Sequence, residues 1–177
     1  MLGLVGGLVI AGFMSDAGAR IFRENGIADP APFIAQQVGD DFRRRYGLRL
    51  ERQPIYITDE DPKKITAAHP ELDLLLDVWI NNLSLEPLSH DSSKYHVKYT
   101  AHLRLIDAKI VHAIDGKKGI VIAHGTCSCI PEETPSAPTY DEFLASGAQR
   151  LKHELDLAAR SCANVFRSEV LTAEDTP

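Results

Sequence analysis

Three cysteines are the residues of this chain whose type and spacing most directly admit chemistry. Cys127 and Cys129 lie two apart in a run with strand periodicity, and Cys162 lies on the apolar stripe of a helical run. A strand sends residues i and i+2 to the same face. The first two thiols therefore point together, toward Cys162 if the helix packs on that face. A disulfide needs Cα atoms about 4.4–6.8 Å apart, which a helix packed on a strand meets at one position. The expected bond joins Cys162 to Cys127 or to Cys129 and leaves one thiol over. It would close a loop of roughly 30 residues, worth about 3–4 kcal/mol in the chain-entropy model, and would form in an oxidising compartment. Reduced cysteines packed as small apolar groups are the alternative. A structural zinc is the third reading, with His124 as fourth ligand. Alternation turns His124 to the other face, and the C-x-C spacing lacks a second close pair, so no metal is expected.

The opposite face of the same strands carries the other candidate residues. Asp73, Asp77, Trp79, Asn81, His96, Lys98, His102, Arg104, His124, Thr126 and Ser128 share it by alternation. Open antiparallel sheets commonly leave one face to solvent. The functional alternative is a ligand- or partner-binding face formed by Asp77, Trp79, His96, Lys98, His102, Arg104 and His124. Trp79 would be its aromatic anchor, and the cationic group would favour an anion. The same face would also serve as a packing surface in an oligomer. Catalytic signatures are missing: there is no G-x-S-x-G, no phosphate loop and no H-E-x-x-H. Asp77 and His102 could meet across strands, as an acid–base couple or an ordinary surface pair, but no positioned nucleophile completes a triad. The expectation is a protein without catalytic residues or cofactor, with a small hydrolase using the polar face as the remote alternative.

These residues need a sheet and a helix to position them. Tyr95 to Leu105 alternates with period two, the strongest secondary-structure signal in the chain. Tyr95, Val97, Tyr99, Ala101, Leu103 and Leu105 take one side. His96, Lys98, Thr100, His102 and Arg104 take the other. Leu72 to Leu83 places Leu72, Leu74, Leu76, Val78 and Ile80 on one face. Ile110 to Ile114, an Asp115-Gly116 turn, and a return strand from Gly119 to Ile130 with Val121, Ala123, Cys127 and Cys129 on one face complete a meander. Upstream, Asp29-Pro30 opens a helix with stripe Phe33, Ile34, Val38, Phe42 and Tyr46, closed by Gly47. Arg43-Arg44-Arg45 falls in its last turn, where cations suit the dipole. Leu48 to Ile57 reads as a strand bent at Pro54, and Thr58 to Pro70 as a polar connector with a short helix around Ile65. The acidic run Asp59-Glu60-Asp61 reads as a solvated charge cluster. After the proline-rich Pro131 to Pro138, a Thr139…Glu142 capping box opens one long helix. Its stripe is Phe143, Leu144, Ala148, Leu151, Leu155, Ala158, Cys162, Val165, Phe166 and Val170.

The order predicts an α+β two-layer sandwich. An antiparallel meander of four to five strands has an N-terminal and a long C-terminal helix on one face. With 177 residues, 44% hydrophobic and 25% charged, one domain over residues 26–177 is expected. A net charge of −6 argues against nucleic acid as a partner. Residues 1–25 stand apart. Met1 to Met14 (MLGLVGGLVIAGFM) is uncharged, and it falls short of the roughly 20 residues a bilayer span needs. It reads as an export-signal remnant with Ala17-Gly18-Ala19 as the small-x-small site. The alternatives are an uncleaved membrane anchor, a helix packed in an assembly through Gly3 and Gly7, or a buried local helix.

ENGIADPAPFIAQQV (Glu24 to Val38), YHVKYTAHLRLIDA, GTCSC and PTYDEFLASGAQRLKHELDLAARSC resemble small, uncharacterised proteobacterial envelope proteins of the lipoprotein type. The helix–meander–helix order also resembles envelope assembly modules of the curli-secretion type. That resemblance implies export and a periplasmic or membrane-associated setting, and it supplies no catalytic residue. This sequence departs from it in having no lipid-accepting Cys after the apolar run. The function expected is therefore a non-enzymatic binding or accessory module of the bacterial envelope. Its partner would be an envelope protein or component, with membrane contact through residues 1–14. A structural subunit of an envelope complex is the alternative.

Overall fold

The computed structural model describes residues 2–6, 16–49, 61–111 and 118–171. The elements run β1 (Leu2–Gly6), α1 (Asp16–Asn25), α2 (Ala31–Tyr46), α3 (Pro62–Ala68), β2 (Leu74–Pro87), β3 (Tyr95–Val111), β4 (Lys118–Cys129) and α4 (Tyr140–Leu171). The sheet has the order β1-β2-β3-β4. β2, β3 and β4 form the antiparallel meander, while β1 pairs parallel with β2 from Leu2↔Leu74 to Gly6↔Val78. The expected four to five antiparallel strands are thus three, with a parallel edge strand drawn from the apolar N-terminal run. Of the separate strand expected over Ile110 to Ile114, Ile110 and Val111 belong to β3, and 112–117 lie outside the described residues. The strand expected over Leu48 to Ile57 also lies outside them from residue 50 onward.

One face of the sheet carries the main core. Leu76, Val78 and Ile80 of β2, Val97, Tyr99, Ala101, Leu103 and Leu105 of β3, and Cys127 of β4 pack against two helices. α2 contributes Ala31, Ile34, Ala35, Val38 and Phe42, and α4 contributes Phe143, Leu151, Leu155, Ala159, Cys162, Ala163 and Phe166. Both helices form where their sequences allow. Asp29 Oδ1 accepts from the Ala31 N–H at 2.8 Å, satisfying an orphan donor of the first turn. Gly47 closes α2 at φ 65, a left-handed conformation that glycine reaches without a Cβ clash, and its N–H donates to the Arg43 carbonyl. Arg43 and Arg44 pair with Asp40 and Asp41 one turn back. The capping box of α4 is formed: the Thr139 N–H donates to Glu142 Oε2 at 2.7 Å and the Glu142 N–H to Thr139 Oγ1 at 3.3 Å.

The expectation that all helices share one face is corrected by α3. Asp61 caps it by accepting from the Lys63 N–H, and it covers a second, smaller cluster of Ile65, Leu72, Leu75, Ile106 and Ala108. Leu75 and Ile106 pair across β2 and β3 and point away from the main core, since neighbouring residues in a strand alternate. Leu72, expected alongside Leu74, belongs to this second cluster. Gly119 permits the close approach of α3: a Cβ there would lie 2.9 Å from the Pro62 carbonyl oxygen.

Two bulges reset the strand parity. Between Ile80 and Asn82 the β2–β3 register shifts, so Leu83 and Leu85 rejoin the core side while Ser84 and Glu86 face outward. Between Leu105 and Ile106 the β3–β4 register shifts, which overturns the assignment of Val121 to the apolar face; it is 39% exposed. An inserted residue exchanges the two faces beyond it.

The last helix is not continuous as expected. Ala145, Ser146, Gly147 and Ala148 leave the helical region, the last three at φ 55, 69 and 58. The capping-box turn is thereby offset from the longer segment that packs on the sheet. Ala148 is fully buried at this break, so packing holds a conformation that costs a non-glycine residue about 1–2 kcal/mol. Further along, α4 lies close over Gly125 of β4, where an added Cβ would sit 3.0 Å from Phe166 Cδ1 and from Glu169 Oε2. Gly125→Ala should therefore destabilise the fold by about 1–3 kcal/mol, read as a lower urea midpoint. Phe166→Leu in the same chain should recover part of that loss.

Candidate functional site

The polar face of the sheet is an ordered array. Asp77 stands opposite Arg104 in the β2–β3 register, and Trp79 stands opposite His102. Arg104 Nε donates to Asp77 Oδ2 at 2.6 Å, with side chains only 15% and 10% exposed. The same guanidinium lies 5.1 Å from the centre of the Trp79 ring. Trp79 also stacks on His102, with centroids 5.1 Å apart and planes inclined by 17°. His102 Nδ1 lies 3.0 Å from Thr126 Oγ1 on β4. Thr100 and Ser128 share a hydroxyl hydrogen bond of 3.2 Å, and Lys98 pairs with Glu86 at 3.3 Å. The chain thus continues carboxylate, guanidinium, indole, imidazole, hydroxyl across three strands.

Asp77 and His102, which could have met across strands, have other partners. The register gives Asp77 to Arg104, and His102 has an indole and a hydroxyl as neighbours. Burial pushes the Asp77 carboxyl above its ordinary value, against the pull of Arg104. Burial also lowers the His102 imidazole below 6.5, which favours its neutral form. Thr126 and His102 touch as a nucleophile and base would, yet the carboxylate that could orient the imidazole is committed to Arg104. His96 is half-buried on the same face, and His124 is exposed opposite Arg104 in β4. Asn81 Oδ1, His96 Nδ1 and His102 Nε2 have no hydrogen-bond partner among the described residues. The bulge at Asn81 and its orphan oxygen carry no signal in the sequence, because a bulge depends on the partner strand.

On the core side, Cys127 and Cys162 are joined with Cα atoms 5.3 Å apart. Cys129 is the free thiol. Its sulfur lies 3.8 Å from Cys162 Sγ and 3.9 Å from Cys127 Sγ, and it points its S–H toward the Ala158 carbonyl. The three sulfur atoms fall within 4.8 Å of one another. Cys129 also lines an open cavity of about 380 Å³ with Ser128, Ile130, Glu154, Leu157 and Ser161.

A second recess of about 370 Å³ lies where α2 begins against α4, lined by Asp29, Phe33, Lys152, Leu155, Asp156 and Ala159 among others. Sequence reading missed it because it forms only when the two helices dock. Among the described residues Asp29 Oδ2 has no hydrogen-bond partner. Burial raises the Asp29 carboxyl to about 6, opposed in part by the Ala31 N–H.

No protein-family model matches the sequence, and no curated protein does. Likeness appears among solved structures. A hypothetical protein from Chlamydia trachomatis superposes with a TM-score of 0.50 at 8% identity, covering 96% of each chain. A lipoprotein from Neisseria meningitidis is similar at a TM-score of 0.32 and 13% identity, over 92% of this chain and 97% of that one. A candidate lipoprotein from Caulobacter crescentus is similar at 0.32 and 14%, over 89% and 98%. At 8% identity the first likeness is one of fold. Among the described residues no helix is long and apolar enough to cross a membrane.

Two charges in these sites yield measurable consequences. Asp77→Asn removes the carboxylate paired with the largely buried guanidinium of Arg104, and stability should fall by about 3–5 kcal/mol in urea titration. Trp79 is the single tryptophan of the chain, so a shift in intrinsic emission should accompany that loss as Arg104 is released. Asp29 behaves in the opposite sense. Its folded-state value is raised above 3.8 to about 6. Its stabilisation is thus fully present below pH 3.8 and lost as pH rises through 6. Asp29→Asn keeps an oxygen for the Ala31 N–H without the buried charge. The variant should be more stable than the parent by about 1–3 kcal/mol at pH 7.5 and nearly equal to it at pH 3.

Proposed function

We propose that this chain is a non-enzymatic binding module of the bacterial envelope, engaging a partner protein or envelope component through the polar sheet face around Trp79. The observation that carries the reading is the packed indole: Trp79 contacts both the Arg104 guanidinium and the His102 ring, and Asp77 pairs with Arg104. An anchor already ordered before binding loses little side-chain entropy when a partner arrives, and Trp and Arg dominate the energetics of protein interfaces. The hydroxyls of Thr100, Thr126 and Ser128 and the charges of Lys98 and Glu86 continue the polar face along the strands from it. The envelope setting draws on the apolar run Met1 to Met14 and on the Cys127–Cys162 bond, which suits an oxidising compartment. The hydrolase alternative is the weaker one, since among the described residues the Thr126–His102 contact has no carboxylate behind it. A structural role in an envelope complex draws on a different feature: among the described residues β4 is the last strand of the sheet, and Val121 and Ile122 on it are exposed.

Site-specific photo-crosslinking in bacterial cells tests the reading. A crosslinking residue at Lys98, further along the same face, should give a discrete adduct that disappears when Trp79→Ala is added. A crosslinker at Ile122 should give that adduct only if the β4 edge is the contact. No adduct at Lys98, or one indifferent to Trp79→Ala, would remove the polar face as the binding surface.

A further inference from the structure

We infer that the three cysteine sulfurs form a redox-gated trithiolate site for a thiophilic d10 cation, zinc(II) or copper(I), available once the Cys127–Cys162 bond is reduced. The site lies on the face of the sheet opposite Trp79 and is independent of the partner-binding reading. A cation bound at about 2.3 Å to each of three thiolates holds their sulfurs roughly 4 Å apart. Two edges of that triangle already exist, at 3.8 Å from Cys129 to Cys162 and 3.9 Å from Cys129 to Cys127. Only the third edge must open, and reduction opens it. Soft sulfur ligands select these metals over hard cations.

The position of Cys129 separates this reading from a thiol–disulfide relay. A thiolate displaces a disulfide sulfur by approaching along the extension of the S–S bond. The nearly equal distances from Cys129 to both partners place its sulfur abreast of the bond, as a third ligand stands. Rigid elements hold the three positions. Cys127 and Cys129 share one face of β4, while Cys162 is wholly buried on α4. Cys127 is bonded to Cys162 and also lies in the core. The cavity beside Cys129 supplies an entry path and room for a fourth ligand, with Ser128, Glu154 and Ser161 in its lining.

The chemistry balances in two steps. A dithiol reductant gives two electrons and two protons to the Cys127–Cys162 bond, yielding two thiols and becoming a disulfide itself. The cation then replaces the three thiol protons, which are released to solvent. Disulfide and metal-bound forms are mutually exclusive, because the bond occupies two of the three ligands.

The test uses the full chain, reduced under anaerobic conditions and freed of reductant. Zinc(II) and copper(I) are titrated separately against chromophoric chelators, with cobalt(II) as an optical probe. The reduced protein should bind one equivalent of at least one cation, show sulfur-to-cobalt charge-transfer absorption, and resist native alkylation at all three cysteines while loaded. The oxidised protein should bind none. Cys129→Ala retains the staple, so its fold is checked by circular dichroism in both redox states. Once reduced it should lose stoichiometric binding, whereas His124→Ala should bind as the parent does. A reduced chain that takes up neither cation, or a reduced Cys129→Ala that binds as well as the parent, overturns the inference.

Discussion

The central strand β3 is the constraint on which the rest depends. It is hydrogen-bonded along both edges, to β2 over Tyr95 to Asp107 and to β4 over most of the same stretch. Its own alternation therefore fixes the facing of all three strands. Tyr99, Ala101 and Leu103 are wholly buried on one side, and this stripe is what α2 and α4 cover. At roughly 25 cal/mol per Å² of apolar area, slipping β3 by one residue would turn that stripe to water and bury His96, Lys98, His102 and Arg104 instead. The register is accordingly held by burial on one side and by the cost of desolvating charge on the other.

From that partition two chemically distinct surfaces follow, one sheet thickness apart. The apolar side brings a β4 strand and an α4 helix close enough for the Cys127–Cys162 bond and leaves Cys129 beside it. The polar side assembles Asp77, Arg104, Trp79 and His102 into one stack, because cross-strand neighbours in a ladder stand close enough for ring and charge contacts. Each member limits the freedom of the next: the carboxylate fixes the guanidinium, and the guanidinium and imidazole fix the indole. A surface ion pair alone contributes little. Here the low exposure of Asp77 and Arg104 raises both the strength of the pair and the penalty for breaking it.

Local signals were legible where local physics decides them. Gly47 ends a helix because only glycine reaches φ 65 freely, and Thr139 with Glu142 opens one because each satisfies the other's backbone donor. The alternation of Tyr95 to Leu105 announced a strand with two unlike faces. Elements whose geometry depends on a distant partner were not legible. The apolar run containing Leu2–Gly6 has the composition of an export segment, yet it pairs as a strand along β2. The parity resets near Asn81 and Ile122 displaced Val121 from the core, since a bulge is a property of two strands together. Ser146 and Ala148 gave no hint of positive φ, because packing imposes that conformation against their preference.

The sequence by itself determined the two faces of the sheet, the helix ends and the convergence of three cysteines, because period, capping and alternation act within a few residues. Only the tertiary structure decided which cysteines pair, that Asp77 meets Arg104 while His102 meets Trp79, and that α3 covers the far face with a second small core. Those outcomes turn on register and on the docking of helices. Both are set by contacts between residues tens of positions apart, whose energies no local pattern encodes.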